Sequence, residues 1–315
     1  AFFLSPIADN LTTALILGTV VLVVGKGNKN FITIGMINIV VSANAGGAFS
    51  PFGDITTLMV WQRGFVSFFD FFNIFIPSVV NYIIPAVIMS FFISNKIPEG
   101  DGKKVEILPG GKIIALLGIL TISITVTGHQ VLHLPPVFGM MFGLGMLGTY
   151  GYFLKTKSTG KNKFDIFHLT GKAEWDTLLF FYGILVCVGG LAALGYLKLI
   201  SDDMYITLGA TYANILVGFL SAIIDNIPIV YAVLTAHPEM DMGQWLLITL
   251  TAGVGGSLLS IGSAAGVALM GQARGIYTFF SHLKWSWAIL LGYAASVVVH
   301  LWLNADLFDL VPLER

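Results

Sequence analysis

Apolar runs of roughly 20 residues, the length that carries a helix across about 30 Å of hydrocarbon, recur at 71–94, 112–128, 136–154, 177–197 and 285–303. Each predicts a membrane-spanning helix. Four further stretches depart from the pattern. Residues 10–25 form a short apolar arm, while 31–61 and 244–271 are long but interrupted by Gly, Ser, Asn, Pro and Asp. The fourth, 205–235, carries Asp225-Asn226-Ile227-Pro228 near its centre. Unpaired backbone groups at membrane depth each cost several kcal/mol, so such interruptions are tolerated only where protein or a water-filled cavity surrounds them. Broken helices of this kind are where transporters hold ions. The pattern predicts an all-α polytopic membrane protein with re-entrant hairpins and broken helices.

The irregular stretches also repeat. Asp9-Asn10-Leu11, an apolar arm and then Gly46-Gly47-Ala48-Phe49-Ser50-Pro51-Phe52-Gly53-Asp54 are matched in order by Asp225-Asn226-Ile227, a second arm and Gly255-Gly256-Ser257-Leu258-Leu259-Ser260-Ile261-Gly262-Ser263. The endings Gln62-Arg63-Gly64 and Gln272-Ala273-Arg274-Gly275 correspond as well. The chain reads as two copies of one unit. The first copy covers 1–95, with its hairpin arm, the broken helix 31–61 and the span 71–94. A cytoplasmic loop follows at 96–111. The second copy covers 112–304, with spans 112–128, 136–154 and 177–197, the hairpin 205–235, the broken helix 244–271 and the span 285–303. A periplasmic tail is expected at 305–315.

Charge fixes how the copies are oriented. If 205–235 returns to the side it left and every other window crosses once, thirteen Lys and Arg fall on one face and three on the other; letting 205–235 cross weakens this to eleven against five. The positive-inside rule therefore favours the hairpin. The loop after the first Asp-Asn arm, with Lys26 and Lys29, then lies inside, and its counterpart at 237–244 lies outside. Equivalent segments point opposite ways, which is an inverted-topology repeat with its binding site at the midplane. About 110 residues of spans precede Asp225, from Gly111, but eight residues precede Asp9. The expectation is that roughly a hundred residues of early spans, needed for activity, are missing upstream.

Composition sharpens the class. Hydrophobic residues make up 56% of the 315 and charged residues 10%, against about 25% charged in a soluble domain, so lipid is the solvent for most side chains. A net charge of -1 leaves no basic face for nucleic acid. The single Cys187 excludes an internal disulfide or a Cys-x-x-Cys site. The opening Ala1-Phe2-Phe3-Leu4 has no basic leader region.

Asp9, Asp54 and Asp225 are carboxylates in apolar context, each costing about 2.5–3.5 kcal/mol at a helix centre. No Lys or Arg shares their segments, so a bound cation or a proton is the natural partner. Burial disfavours a charged carboxylate and a neighbouring cation favours it, so one site can trade a proton for a metal ion, which is the physics of antiport. Neutral oxygens surround the acids: Asn10, Thr12 and Thr13 on the first arm; Asn44, Ser50, Thr56 and Thr57 at the first break; Ser221, Asn226, Ser257, Ser260 and Ser263 in the second copy. Hard cations such as Na⁺ or Li⁺ select such oxygen donors, so the metal is expected on Asp9, Asn10, Asp54, Asp225 and Asn226. Ser263 stands where the first copy has Asp54. The acid-rich half-site is thus assigned to the first copy.

The stretches SPIADNLTTAL (Ser5–Leu15), SANAGGAFSPFGDITTLMVW (Ser42–Trp61), IIDNIPIVYAVL (Ile223–Leu234) and GGSLLSIGSAAGVALMG (Gly255–Gly271) resemble the NhaD-type sodium/proton antiporters. That family lies in the ion transporter superfamily, which also holds divalent-anion and citrate carriers. The resemblance spans essentially the whole chain. It implies that Asp9/Asn10 and Asp225/Asn226 sit at two hairpin tips, with Asn44, Asp54, Thr56, Thr57, Ser260 and Ser263 lining the unwound helices. It further implies homodimers in a bacterial cytoplasmic (inner) membrane, a transport domain moving past a scaffold, and no cofactor beyond the transported Na⁺ or Li⁺ and H⁺.

The reading that follows is exchange of cytoplasmic Na⁺ or Li⁺ for external H⁺. A Na⁺-coupled dicarboxylate or oxyanion carrier of the same fold is the first rival, disfavoured because three central acids repel an anion. An intramembrane hydrolase using Ser260 or Ser263 with a histidine is the second. No Gly-x-Ser-x-Gly elbow is present, and His237, His282 and His300 fall near span ends or loops. His129 and His133, four apart beside Pro135-Pro136, are read as a polar outer loop because no third metal ligand is near. The lysines between 155 and 172 are read as a solvated inner loop, and Trp285, Trp287 and Trp302 as an interfacial belt touching membrane lipid.

Overall fold

The computed structural model describes residues 1–25, 27–93, 110–157, 171 and 175–308. Lys26, most of the 96–111 loop, the lysine cluster over 158–170 and 172–174, and the tail from 309 lie outside these residues.

Among the described residues every regular element is helical. The first copy comprises α1 (Ser5–Ala8), α2 (Asn10–Val24), α3 (Lys29–Ala48), α4 (Ile55–Gln62) and, after a 3₁₀ turn at Asp70–Ile74, α5 (Phe75–Ser90). There follow α6 (Gly111–Leu132), α7 (Pro136–Lys157), α8 (Trp175–Ala193) and α9 (Tyr196–Leu208). The second copy then runs α10 (Ala210–Ser221), α11 (Asn226–Ala236), α12 (Met242–Gly255), α13 (Ala264–Gln272), α14 (Phe279–Leu283) and α15 (Ser286–Leu303). Among the described residues five helices are long and apolar enough to span a membrane, at Lys29–Ala48, Asp70–Ser90, Gly111–Leu132, Pro136–Thr156 and Ser286–Leu303, and the bent pair α8–α9 makes up to six. The protein is a multi-pass membrane protein.

Two boundaries differ from the hydropathy pattern. The window at 177–197 stops at Ala193, and the chain then bends by 78° through Gly195 into α9. Gly195 adopts φ 81°, a left-handed conformation that glycine enters without a Cβ clash. Helix α9 escapes a hydropathy scan because Lys198, Asp202 and Asp203 interrupt its apolar positions. The second hairpin consequently begins at Ala210 rather than 205, since Tyr205–Leu208 belongs to α9 and Gly209 (φ 76°) separates the two.

The chain forms two compact units, residues 1–100 with 181–315, and residues 101–180. In the smaller unit α6 and α7 pack through small residues. A Cβ on Gly139 would strike Thr125, and one on Gly143 would strike Thr121, the close approach by which membrane helices associate. Only 11% of each of these two spans is buried among the described residues.

The larger unit is built around α3 and α12. Every residue of α12 is buried, as is 72% of the spanning window of α3, which suits helices apolar on all sides. Helix α5 packs along α15, α10 along α12, and α3 against α12. The hairpins cross between copies: α2 contacts α13 as well as α3, and α11 contacts α4 as well as α12. Each hairpin's second arm therefore lies on the broken helix of the other copy.

Candidate functional site

The two breaks share one geometry. Asp54 caps the start of α4 with φ -152° and ψ 149°, its side chain accepting from Thr56 N; Ser263 caps α13 with φ -145° and ψ 147°, accepting from Gly266 N. A Cβ on Gly47 would come within 2.5 Å of the Gly53 carbonyl oxygen, and one on Gly256 within 2.6 Å of the Gly262 carbonyl oxygen. Only glycine permits these closures. A Cβ on Gly46 would strike the Phe2 carbonyl oxygen, and one on Gly255 the carbonyl oxygen of Gly218, the residue equivalent to Phe2. Ser5 Oγ donates to Ala43 O at 2.7 Å, and its equivalent Ser221 Oγ donates to Ala252 O at 2.7 Å. The sequence repeat is thus a repeat of contacts.

Each break brings a helix C-terminus and a helix N-terminus together in the larger unit. The N-termini of α2, α4 and α11 carry Asp9, Asp54 and Asp225 respectively. The partial positive charge of a helix N-terminus stabilises a nearby carboxylate, and the C-termini opposite favour a cation.

Asp54 is the centre of the site. It is buried, with 4% of its surface exposed. Its Oδ1 accepts from Thr56 N at 3.0 Å, and its Oδ2 accepts from Asn10 Nδ2 at 2.8 Å and Asn226 Nδ2 at 2.9 Å. Asn10 Nδ2 also donates to Asn44 Oδ1 at 3.1 Å. One carboxylate thus receives an amide from each hairpin tip, and none of these donors is charged. Donors of this kind favour the ionised form without cancelling its charge. A buried charge with neutral partners alone leaves room for a cation or a proton to complete it.

The other predicted residues divide by what they touch. Asp9 spends its oxygens as a helix cap: Oδ1 accepts from Leu11 N at 2.6 Å and Thr12 N at 3.1 Å, and Oδ2 accepts from Thr12 Oγ1 at 2.9 Å. Its backbone sits at φ 54° and ψ 166°, a region ordinarily left to glycine and costing about 1–3 kcal/mol, so the turn that aims Asn10 is held under strain. Asp225 starts α11 without a side-chain cap bond, and its Oδ1 is buried without a hydrogen-bond partner. Thr57 Oγ1 donates to Ser50 O or Asp54 O, and Ser50 Oγ donates to Pro6 O at 3.0 Å; with Ser221 these hydroxyls brace backbone. The hydroxyls of Thr13 and Ser260 are buried with no hydrogen-bond partner.

The sequence missed two buried imidazoles. His282 and His300 lie near helix ends, as expected, but are fully buried. His282 Nε2 donates to Ser257 O at 2.8 Å and His300 Nε2 donates to Gly243 O at 3.0 Å. Both lie near the ends of short or terminal helical segments, where hydropathy gives no sign of burial. Neither contacts Ser260 or Ser263 by hydrogen bond, so the nucleophile and base of the hydrolase reading are not brought together.

Residues 1–253 match the family described as citrate transporter, CitMHS. The chain is 57% identical to the Na⁺/H⁺ antiporter NhaD of Alkalimonas amylolytica, over 98% of this chain and 69% of the relative. It is 55% identical to the NhaD antiporter of Vibrio parahaemolyticus, over 93% of this chain and 77% of the relative. Against that of Vibrio cholerae the identity is 54%, over 98% and 69%. With paired breaks, two hairpin tips meeting on one acid, and relatives of this similarity, the chain belongs to the CitMHS citrate-transporter family, among its NhaD-type Na⁺/H⁺ antiporters.

Proposed function

We propose that this transporter exchanges Na⁺, or Li⁺, for H⁺ by letting the two ions compete for Asp54. The observation that carries the reading is the set of neutral donors on Asp54 Oδ2, one amide from each hairpin. At Asp54 the site holds a negative charge that the surrounding amides orient but do not neutralise. A proton bonded to the carboxylate cancels it; so does Na⁺ seated beside it on the oxygens of Thr13, Thr56, Ser260 and Asp225. Either occupant removes the need for the other, and mutually exclusive occupancy is what couples the two fluxes. Asn10 and Asn226, at the starts of the two hairpin arms, respond to which occupant is present because both donate to Asp54 Oδ2, and Asn44 on α3 is linked to them through Asn10. Asp9 adds negative charge nearby and sets the angle of Asn10.

In the same reading cytoplasmic Na⁺ leaves as external H⁺ enters, the protein works as a homodimer in the bacterial inner membrane, and its carboxyl terminus faces the periplasm. The charge bias of the loops supports this orientation. The family's description as citrate transporter raises an anionic cargo as the rival. Asp9, Asp54 and Asp225 all stand at helix N-termini of the larger unit; the hydrogen-bond partners of Asp54 include no Lys or Arg. An anion entering there meets repulsion without a cationic clamp.

The test is the Na⁺-dependent dissipation of an imposed pH gradient in everted membrane vesicles containing the protein. The response should disappear in Asp54→Asn. A response of wild-type size in that variant removes Asp54 from the exchange, and Na⁺ uptake stimulated by citrate would restore the anion carrier.

A further inference from the structure

The two copies are equivalent in backbone but fastened differently at their breaks. Gly64 and Gly275 are both left-handed, with φ 79° and 76°. After each, the same turn follows: Ser67 N donates to Asp70 Oδ2 at 3.3 Å, and Thr278 N donates to Ser281 Oγ at 2.8 Å. This register pairs Phe71 with His282, Phe75 with Ser286 and Tyr82 with Tyr293. It continues correctly into α5 and α15. The Tyr82 ring lies 4.7 Å from that of Phe2, while the Tyr293 hydroxyl occupies the space beside Gly218, the equivalent of Phe2.

At the second break two side chains hold consecutive carbonyls. His282 Nε2 donates to Ser257 O at 2.8 Å, its Nδ1 accepting from Tyr277 Oη at 2.7 Å, and Ser286 Oγ donates to Leu258 O at 2.6 Å. A carbonyl accepts only, so the proton of His282 is on Nε2. At the first break the equivalent positions are Phe71 and Phe75, and Phe75 meets Phe49, the counterpart of Leu258, edge-on at 5.0 Å. Ring packing fixes distance but tolerates sliding and rotation. A hydrogen bond to a buried carbonyl fixes direction, and leaving that carbonyl unpaired costs about 1–3 kcal/mol.

We propose that His282 is a positioning residue for cation binding: through Ser257 it holds the second break as the rigid half of the site, presenting Ser260 to the cation, while the aromatic-packed first break is the compliant half. Ser286 is its accessory on the next carbonyl. The inference rests on the exchange reading above, and the two are tested separately.

The variants are His282→Phe, which installs the first copy's residue, His282→Gln, whose amide N–H can still reach Ser257 O, and Ser286→Ala. Loss of a buried hydrogen bond at this point should raise the apparent KM for Na⁺ about fivefold in His282→Phe with the maximal rate within about twofold of wild type. His282→Gln should return KM to within about twofold. A KM for His282→Phe equal to wild type, at equal protein in the membrane, overturns the proposal, as does a His282→Gln as impaired as His282→Phe. Should His282→Phe fail to accumulate, Ser286→Ala decides: a KM raised about threefold supports the role and an unchanged KM defeats it. Hydrogen–deuterium exchange of the purified protein reads the positioning without Na⁺ transport. Faster exchange across 256–263 with none added across 49–54 is expected in Ser286→Ala and His282→Phe, and equal exchange in both breaks rejects the asymmetry. If wild type shows no Na⁺ response, the exchange reading fails while this second measurement still judges His282.

Discussion

Asn226 donates its side-chain amide to Oδ2 of Asp54 at 2.9 Å, across 172 residues of chain. The bond joins the tip of the second hairpin to the break of the first copy. It makes the two halves share one carboxylate, so neither half can rearrange without changing the hydrogen bonding of Asp54.

Removing that bond should weaken Na⁺ binding without unfolding the protein. Asn226→Ala and Asn10→Ala each delete one hydrogen bond to a charged acceptor, worth about 1.5–3 kcal/mol, which is about tenfold to a hundredfold in apparent KM for Na⁺. The double variant should fall short of the product of the two, because the donors share one oxygen. Na⁺ titration of vesicle exchange measures this, and full multiplicativity would argue that the two amides act at separate places.

Asp9 should separate into a capping role and a charge role. Asp9→Asn keeps an oxygen able to accept from Leu11 N and Thr12 N, whereas Asp9→Ala loses the cap at about 0.5–2 kcal/mol. Thermal melts in detergent should therefore show Asp9→Asn near wild type and Asp9→Ala lowered. If Asp9→Asn is as stable as wild type and exchanges as fast, the charge at this position plays no part in transport.

The glycine closures should be intolerant and symmetric. Gly47→Ala and Gly256→Ala place a Cβ against carbonyl oxygens of Gly53 and Gly262 and should each destabilise by about 1–3 kcal/mol. Gly118→Ala on α6, with nothing within 4 Å of its Cβ, should lie within about 0.5 kcal/mol of wild type. Comparative melting temperatures check the contrast.

Ser5→Ala and Ser221→Ala remove equivalent bonds to Ala43 O and Ala252 O, both 2.7 Å long. Each should cost about 0.5–1.5 kcal/mol, and the two losses should match, since both serines brace a hairpin arm against its own broken helix. A large difference between them would mean that one of the serines has a duty beyond bracing.

Much of the fold could be read without coordinates, because a bilayer imposes its thickness on the sequence. Spans at 112–128, 136–154 and 285–303 correspond to α6, α7 and α15, and the interruptions at 31–61 and 244–271 resolve into α3 with α4 and α12 with α13. The order of glycines and Asp-Asn pairs also sufficed to find the repeat, since closures as tight as Gly47 on Gly53 can be made by no other residue. The acids were visible for a related reason: an unpaired carboxylate in an apolar run has too high an energy to be accidental.

What the side chains do was decided by tertiary structure. Ser50, Thr57 and Ser221 donate to backbone carbonyls, and Asp9 turns its oxygens back on its own helix, contacts that the sequence did not show. Asp54 became the centre only because the hairpins cross between the copies, delivering Asn10 and Asn226 to one oxygen. His282 and His300 were buried by the packing of the α14 and α15 segments, and α9 formed despite its charges. Hydropathy is a property of single residues against lipid, and it registers depth. Which donor meets which acceptor depends on distances between segments far apart in the chain, and those exist only once the helices have packed.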